Sequence, residues 1–212
     1  MAIRLSAHKT ETLLFCSSKF WGNPDLPPQV EYPTMTVTED GESYEYPLTF
    51  VCQIDCEDIA ALDPEGKLPH EGMLYFFAAI DELLGYGSPE PLTLGTLPKK
   101  MVVVKYAKQI NMETFNSCIL VDEDNQEIAG ESLAIEFSSC SEGESCIRLL
   151  GKGSASFDAD CPESSPVLQL VCDAEAGIQL PEGAEFTFAL KDSDLKFGNW
   201  KRTFGHLVAE NE

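Results

Sequence analysis

The feature that most limits what this chain can fold into is that it repeats itself. Leu48-Thr49-Phe50-Val51-Cys52 matches Leu168-Gln169-Leu170-Val171-Cys172 at an offset of 120 residues. The stretch from Gly72 (GMLYFFAAIDELL) runs in register with that from Gly183 (GAEFTFALKDSDL) at an offset of 111, so the first copy carries nine extra residues between its two best strands. Leu68-Pro69-His70-Glu71-Gly72 is echoed by Leu180-Pro181-Glu182-Gly183, and Phe20-Trp21-Gly22 by Leu149-Leu150-Gly151. Copy one then covers residues 20–110, copy two covers 147–212, and 111–146 supply connecting strands. No short Pro-Gly linker parts the copies, which predicts one domain over 1–212 whose halves share a core.

Each copy reads as strands joined by turns. Pro47–Ile54 is apolar and β-branched between polar breakers, Gly72–Ile80 is a second strand and Met101–Tyr106 a third. Asp55, with acids after it and Ile59-Ala60-Ala61-Leu62 beyond, sets up a short helix that Pro64 and Gly66 end. Ser117–Val121 and Ile128–Phe137 are joined through a polar hairpin turn at 122–127. No long stretch has a 3.6-residue period. The expected class is α+β: β-dominated, with antiparallel sheets, short helices and an internal duplication.

Charge excludes some partners. Fourteen Lys and Arg stand against 36 Asp and Glu, a net charge of −22, which repels nucleic acid and anionic membrane. Residues 20–66 hold eleven acids and no base, while Lys99, Lys100, Lys105 and Lys108 cluster. Such runs are either solvated surface or a face for a basic protein partner. The opening residues have no apolar core of the kind an export signal needs, and Met73–Ile80 is too short to span a bilayer, so a cytoplasmic chain is expected. Its eight cysteines are then read as reduced thiols, most of them buried, with Cys52 and Cys172 in equivalent core positions.

No motif for chemistry emerges. The turn at Asp122 lacks the glycine and the closing glutamate of a calcium loop, since Glu127 and Leu133 occupy those places. Cys52-x3-Cys56 has no matching second pair, and His8, His70 and His206 share no ligand spacing, so neither a metal nor another cofactor is expected. Gly151-x-Gly153-Ser154-x-Ser156 completes neither a nucleophile elbow nor a phosphate loop. No catalytic residue is assigned.

Three segments in order, Ser18-Lys19-Phe20-Trp21-Gly22-Asn23-Pro24-Asp25-Leu26-Pro27, Pro47–Asp55 and Gly72-Met73-Leu74-Tyr75-Phe76-Phe77, resemble the YwqG-like family. Its bacterial members open on Ser-Lys/Arg-Phe-Gly-Gly-x-Pro-x-Leu-Pro; here Trp21 replaces the first glycine and Asp55 an asparagine. The resemblance implies an α+β fold with antiparallel sheets and an internal duplication, and no activity. Some relatives look like residents of toxin–immunity neighbourhoods, which implies a non-catalytic acidic binding module of immunity type for a basic partner. The alternative is an enzyme or small-ligand receptor with its site in the groove between the halves. The candidate binding residues are Lys19, Trp21, Asn23 and Asp25 on a proline-stiffened loop, with Asp55 and His70 approaching it from strand ends. A purely packing role for Trp21 is the competing account of that segment.

Overall fold

The computed structural model describes residues 2–122, 124–141 and 144–209. Glu123 of the expected hairpin turn, and the last three residues of copy two, lie outside them. Among the described residues the strands are β1 (Ala2–His8), β2 (Lys19–Phe20), β3 (Asp25–Leu26), β4 (Thr34–Glu39), β5 (Glu42–Pro47), β6 (Thr49–Asp55), β7 (Met73–Ala78), β8 (Gly95–Thr96) and β9 (Val102–Ala107). They continue with β10 (Asn116–Ser117), β11 (Leu133–Cys140), β12 (Arg148–Leu150), β13 (Ser164–Leu170), β14 (Ala184–Lys191) and β15 (Phe204–Ala209). Helices are short: α1 (Cys56–Ile59), α2 (Ala155–Asp160) and α3 (Asp192–Lys196). Asp55 caps α1, its carboxylate accepting the Glu57 N–H at 3.1 Å. The chain is β-dominated and antiparallel.

One eleven-stranded sheet, ordered β8-β15-β14-β13-β12-β1-β11-β2-β6-β7-β9, carries the fold. It curls so that Val102 at one end meets Gly205 near the other; a Cβ on Gly205 would lie 2.6 Å from Val102 Cγ2. The pair β1–β11 sits at the centre, and the strands on either side follow the same pattern. Lys19, Gln53, Tyr75 and Lys105 lie in one row across β2, β6, β7 and β9. Arg148, Gln169, Thr187 and His206 form the corresponding row across β12, β13, β14 and β15. Each half breaks register at one place, between Phe50 and Cys52 and between Pro166 and Leu168.

These registers correct the sequence alignment. Gln53 corresponds to Gln169, an offset of 116 instead of 120, and Phe76 to Phe188, an offset of 112. The first half therefore carries four extra residues between these strands, not nine. Cys52 corresponds to Leu168; Cys172 lies beyond the end of β13 and is exposed. The weaker pairing of Phe20-Trp21-Gly22 with Leu149-Leu150-Gly151 matches the ladder, and the backbone repeats there too. Trp21 and Gly22 have φ of 55° and 71°, Leu150 and Gly151 of 59° and 93°. Glycine is required at the second position: a Cβ on Gly22 would fall 1.9 Å from Ser132 Oγ, and one on Gly151 3.1 Å from the Ala2 Cβ.

The inner face of the curl is one apolar core drawn from both halves, where Phe76 and Phe188 meet edge to face at 5.3 Å. The outer faces differ. Over the first half, Met73, Tyr75 and Phe77 are covered by a second cluster with Leu26, Met35, Val37 and Phe115, so all six residues of β7 are buried. Over the second half, Phe157 of α2, Cys161 and Ala189 form a small cluster. The apolar runs follow from this: a strand covered on both faces loses its alternation.

Thiol reactivity reads out the packing. Cys52 is fully buried with its pKa driven well above normal by burial, and burial pushes Cys56 up to about 12. Titration of the native protein with a disulfide reagent at neutral pH should label exposed Cys172 promptly, with Cys52 and Cys56 reacting only on denaturation.

Candidate functional site

The most constrained residue after β2 is Asp25, the first residue of β3, which has no exposed surface. Its Oδ2 accepts from Lys19 Nζ at 2.7 Å, from the Cys16 N–H at 2.9 Å and from Gln53 Nε2 at 2.8 Å. Its Oδ1 accepts from Ser117 Oγ at 2.6 Å, and its carbonyl from Tyr75 OH at 2.7 Å. Gln53 in turn takes the Asp25 N–H on Oε1 and donates to Ser17 O. Such a network satisfies both ions as well as the amide. It is closed to ligands: Lys19 and Asp25 fold the loop, they do not line a surface.

The second half carries an analogue. Arg148 Nε donates to Gln169 Oε1 at 2.6 Å and its Nη2 to Glu185 Oε2 at 3.1 Å, while Gln169 Nε2 and Thr187 Oγ1 donate to Glu185 Oε1. The cation and amide occupy corresponding places; the carboxylate comes from β3, just after β2, in one half and from β14 in the other.

Held by this anchor, Trp21, Gly22, Asn23 and Pro24 form one wall of a 610 Å³ cavity. Its other walls come from the 46–50 stretch, the 81–86 turn, Cys118, Leu120, residues 128–131 and Gly177. The lining is chiefly apolar and aromatic, with Tyr32, Tyr46, Phe50 and Tyr86 prominent. Trp21 packs against the inner core and donates Nε1 to Ala176 O at 2.7 Å, tying the loop to the second half. Asn23 pairs with Glu127. The size and lining are those of a small-ligand site.

Asn23, Thr49 and Glu131 also line the cavity, and Asp81 differs from them in its unmet oxygen. Its Oδ1 accepts from Thr49 Oγ1 at 2.7 Å, whereas Oδ2 is buried with no hydrogen-bond partner. Burial raises its pKa, with Glu82 adding repulsion and Thr49 opposing. Cys118 also lines the cavity, but burial raises its thiol pKa, leaving little thiolate.

Of the sequence candidates, then, Trp21 and Asn23 reach the cavity, and Lys19 and Asp25 sit behind it. Asp55 caps α1 and donates its N–H to Ser18 Oγ, and His70 turns to Asp63 at 3.5 Å; neither lines the cavity. Asp81 was missed. Asp81 and Glu82 together close the apolar run Met73–Ile80, and nothing in the sequence sets the first acid apart from the second.

Residues 18–148 match the family described as "Domain of unknown function (DUF1963)". The chain belongs to this family. The matched stretch begins beside Lys19 and ends at Arg148, so it contains Lys19, Asp25, Gln53, Tyr75 and Ser117 of the first-half anchor and all of the cavity lining except Gly177. No curated protein matches the chain. Among the described residues no helix is long and apolar enough to cross a membrane, and no group of three His, Cys, Asp or Glu is placed to hold a metal ion.

Replacing Lys19 by Met strands the Asp25 carboxylate, with an expected loss of roughly 3–5 kcal/mol in unfolding free energy. Lys9→Met, at an exposed pair with Glu131, should cost less than about 1 kcal/mol. Urea titrations of both variants check the contrast.

Proposed function

We propose that this chain is a binding module whose cavity captures a cationic group carried on an apolar body. The observation that carries this reading is the unpartnered Asp81 oxygen in an aromatic-lined cavity. An ionised carboxylate there is short of a donor, and an ammonium or guanidinium supplies charge and donors together. Tyr46, Tyr86 and Trp21 offer ring faces for the cation and its stem. The group is either a free amine or the Lys or Arg anchor of a basic protein, which the net charge of −22 would steer inward. The second source extends to an immunity-type role: an acidic, non-catalytic, cytoplasmic protein of the YwqG-like kind that blocks a basic partner. The matched rows and bulges of the two halves support an origin by internal duplication.

The pH dependence has a definite sign. Asp81 holds its proton more tightly folded than unfolded, so its contribution to stability is greatest below the ordinary carboxylate pKa. That contribution is lost as pH rises through the raised folded value. Cation binding follows the opposite slope, needing the ionised form.

Asp81→Asn separates these effects. At neutral pH it should leave the fold as stable or more stable, yet weaken binding of phenethylamine by roughly tenfold or more, the worth of a charge-assisted contact. Calorimetry with phenethylamine, with phenylethanol of the same shape, and with an Arg-containing apolar peptide distinguishes the sources. Equal binding of the amine and the alcohol, or undiminished amine and peptide binding by Asp81→Asn, overturns the reading.

A further inference from the structure

The sheet ends at β9, and among the described residues no strand pairs with that edge. The Ala79 N–H bonds to Met101 O at 2.8 Å, and Ala78 pairs with Val102, which fixes the alternation of the ladder. Val103, Lys105 and Ala107 bond to β7; Val104 and Tyr106 turn their backbone N–H and C=O away from it. Along this edge runs a cleft of 1010 Å³, walled by residues 29–31 and 198–203.

The charge of the cleft is opposite to that of the chain. Lys99, Lys105, Lys201 and Arg202 line it, four of fourteen bases in a protein with 36 acids, and Glu31 is the one acidic side chain among the lining residues. Among the described residues Lys99 and Lys201 have no carboxylate within ion-pair distance, and Arg202 is 3.5 Å from Asp194. Lys105 donates to the Glu31 carbonyl. Burial lowers the Lys105 pKa, Glu31 opposes it, and the charge of Lys201 lowers it by a smaller amount, so the ammonium groups of β9 and of the 200–202 turn feel each other across the cleft.

We propose that β9 accepts an extended acidic peptide segment as an added strand. Backbone pairing along the open edge supplies general affinity, and the lysine rim selects for acid. The faces specify more. Lys105 lies on the outer face, whereas Val104 belongs to the inner core and Tyr106 packs on it beside Trp200, ring centres 6.3 Å apart. An incoming strand therefore places carboxylates outward and apolar side chains inward, an alternation of Glu with Val or Leu. A second copy of this chain is disfavoured at the edge, because two lysine rims would face each other. Lysines on an edge strand also ward off aggregation; that role alone predicts no ligand at all.

The test uses the whole chain and a peptide of alternating Glu and Val as long as β9, followed by fluorescence anisotropy at low salt. Binding should weaken as salt rises. Lys105→Glu combined with Lys201→Glu should reduce affinity by about tenfold or more without lowering the melting temperature. The same peptide N-methylated at alternate amides, in the phase that removes the donors facing β9, should lose binding. No binding by the unmodified chain, equal binding of the N-methylated peptide, or full affinity in the double variant overturns the proposal. Asp81→Asn leaves this edge untouched, so its result and this one fail separately.

Discussion

A carboxylate without access to water holds the first half of this protein together. Lys19, two side-chain donors and a backbone N–H converge on the buried carboxylate of Asp25. Those donors come from four places in the chain: the segment before β2, β2 itself, β6 and β10. One residue therefore ties the N-terminal third to a strand ninety-two positions later. Such a network contributes little net stability against an apolar equivalent, but it penalises every arrangement that leaves one member unpaired. Its effect is to allow the loop after β2 one conformation, with Trp21 at a left-handed φ of 55°. That conformation builds the cavity wall.

The second half solves the same problem with Arg148, Gln169 and Glu185, and the difference in where the acid comes from has consequences. In the first half the acid lies in the short strand β3, whose neighbour Leu26 packs on the outer face, bringing chain with it. That covering chain buries the alternate residues of β7 and leaves a cavity where its segments fail to fill the space over β6. In the second half the acid lies within β14 itself, needs no crossing loop, and the outer face there carries the small cluster around Phe157. The cavity belongs to the half that was covered.

Strands, their antiparallel pairing and the helix after Asp55 were legible because period, β-branching and capping act over a few residues. The repeat was legible too, but its register was not. Matching Val51-Cys52 to Val171-Cys172 rewarded similar apolar letters, whereas the ladder aligns Gln53 with Gln169, a polar residue that apolar patterning treats as noise. Likewise Lys19 and Asp25 looked like surface groups on a turn, and their burial depends on partners as distant as Ser117. Trp21 and Asn23 could be suspected from a rigid loop. Asp81 could not be singled out among 36 acids, since what distinguishes it is the hydroxyl of Thr49 on one oxygen and nothing on the other.

The distribution of charge ties the two proposed surfaces together. At physiological salt a field is screened over about 8 Å, so an approaching molecule first meets the average of −22 and only then the local pattern. On the proposed reading, a cation is attracted at both ranges, with Asp81 at the end of its path. An acidic strand is repelled at long range and attracted only by the lysines beside β9, so its association is slow and strongly dependent on register. The two proposed surfaces, of opposite sign on one chain, thus differ in kind: the cavity suits capture by diffusion, and the edge suits a partner already delivered nearby or tethered to what the cavity would hold.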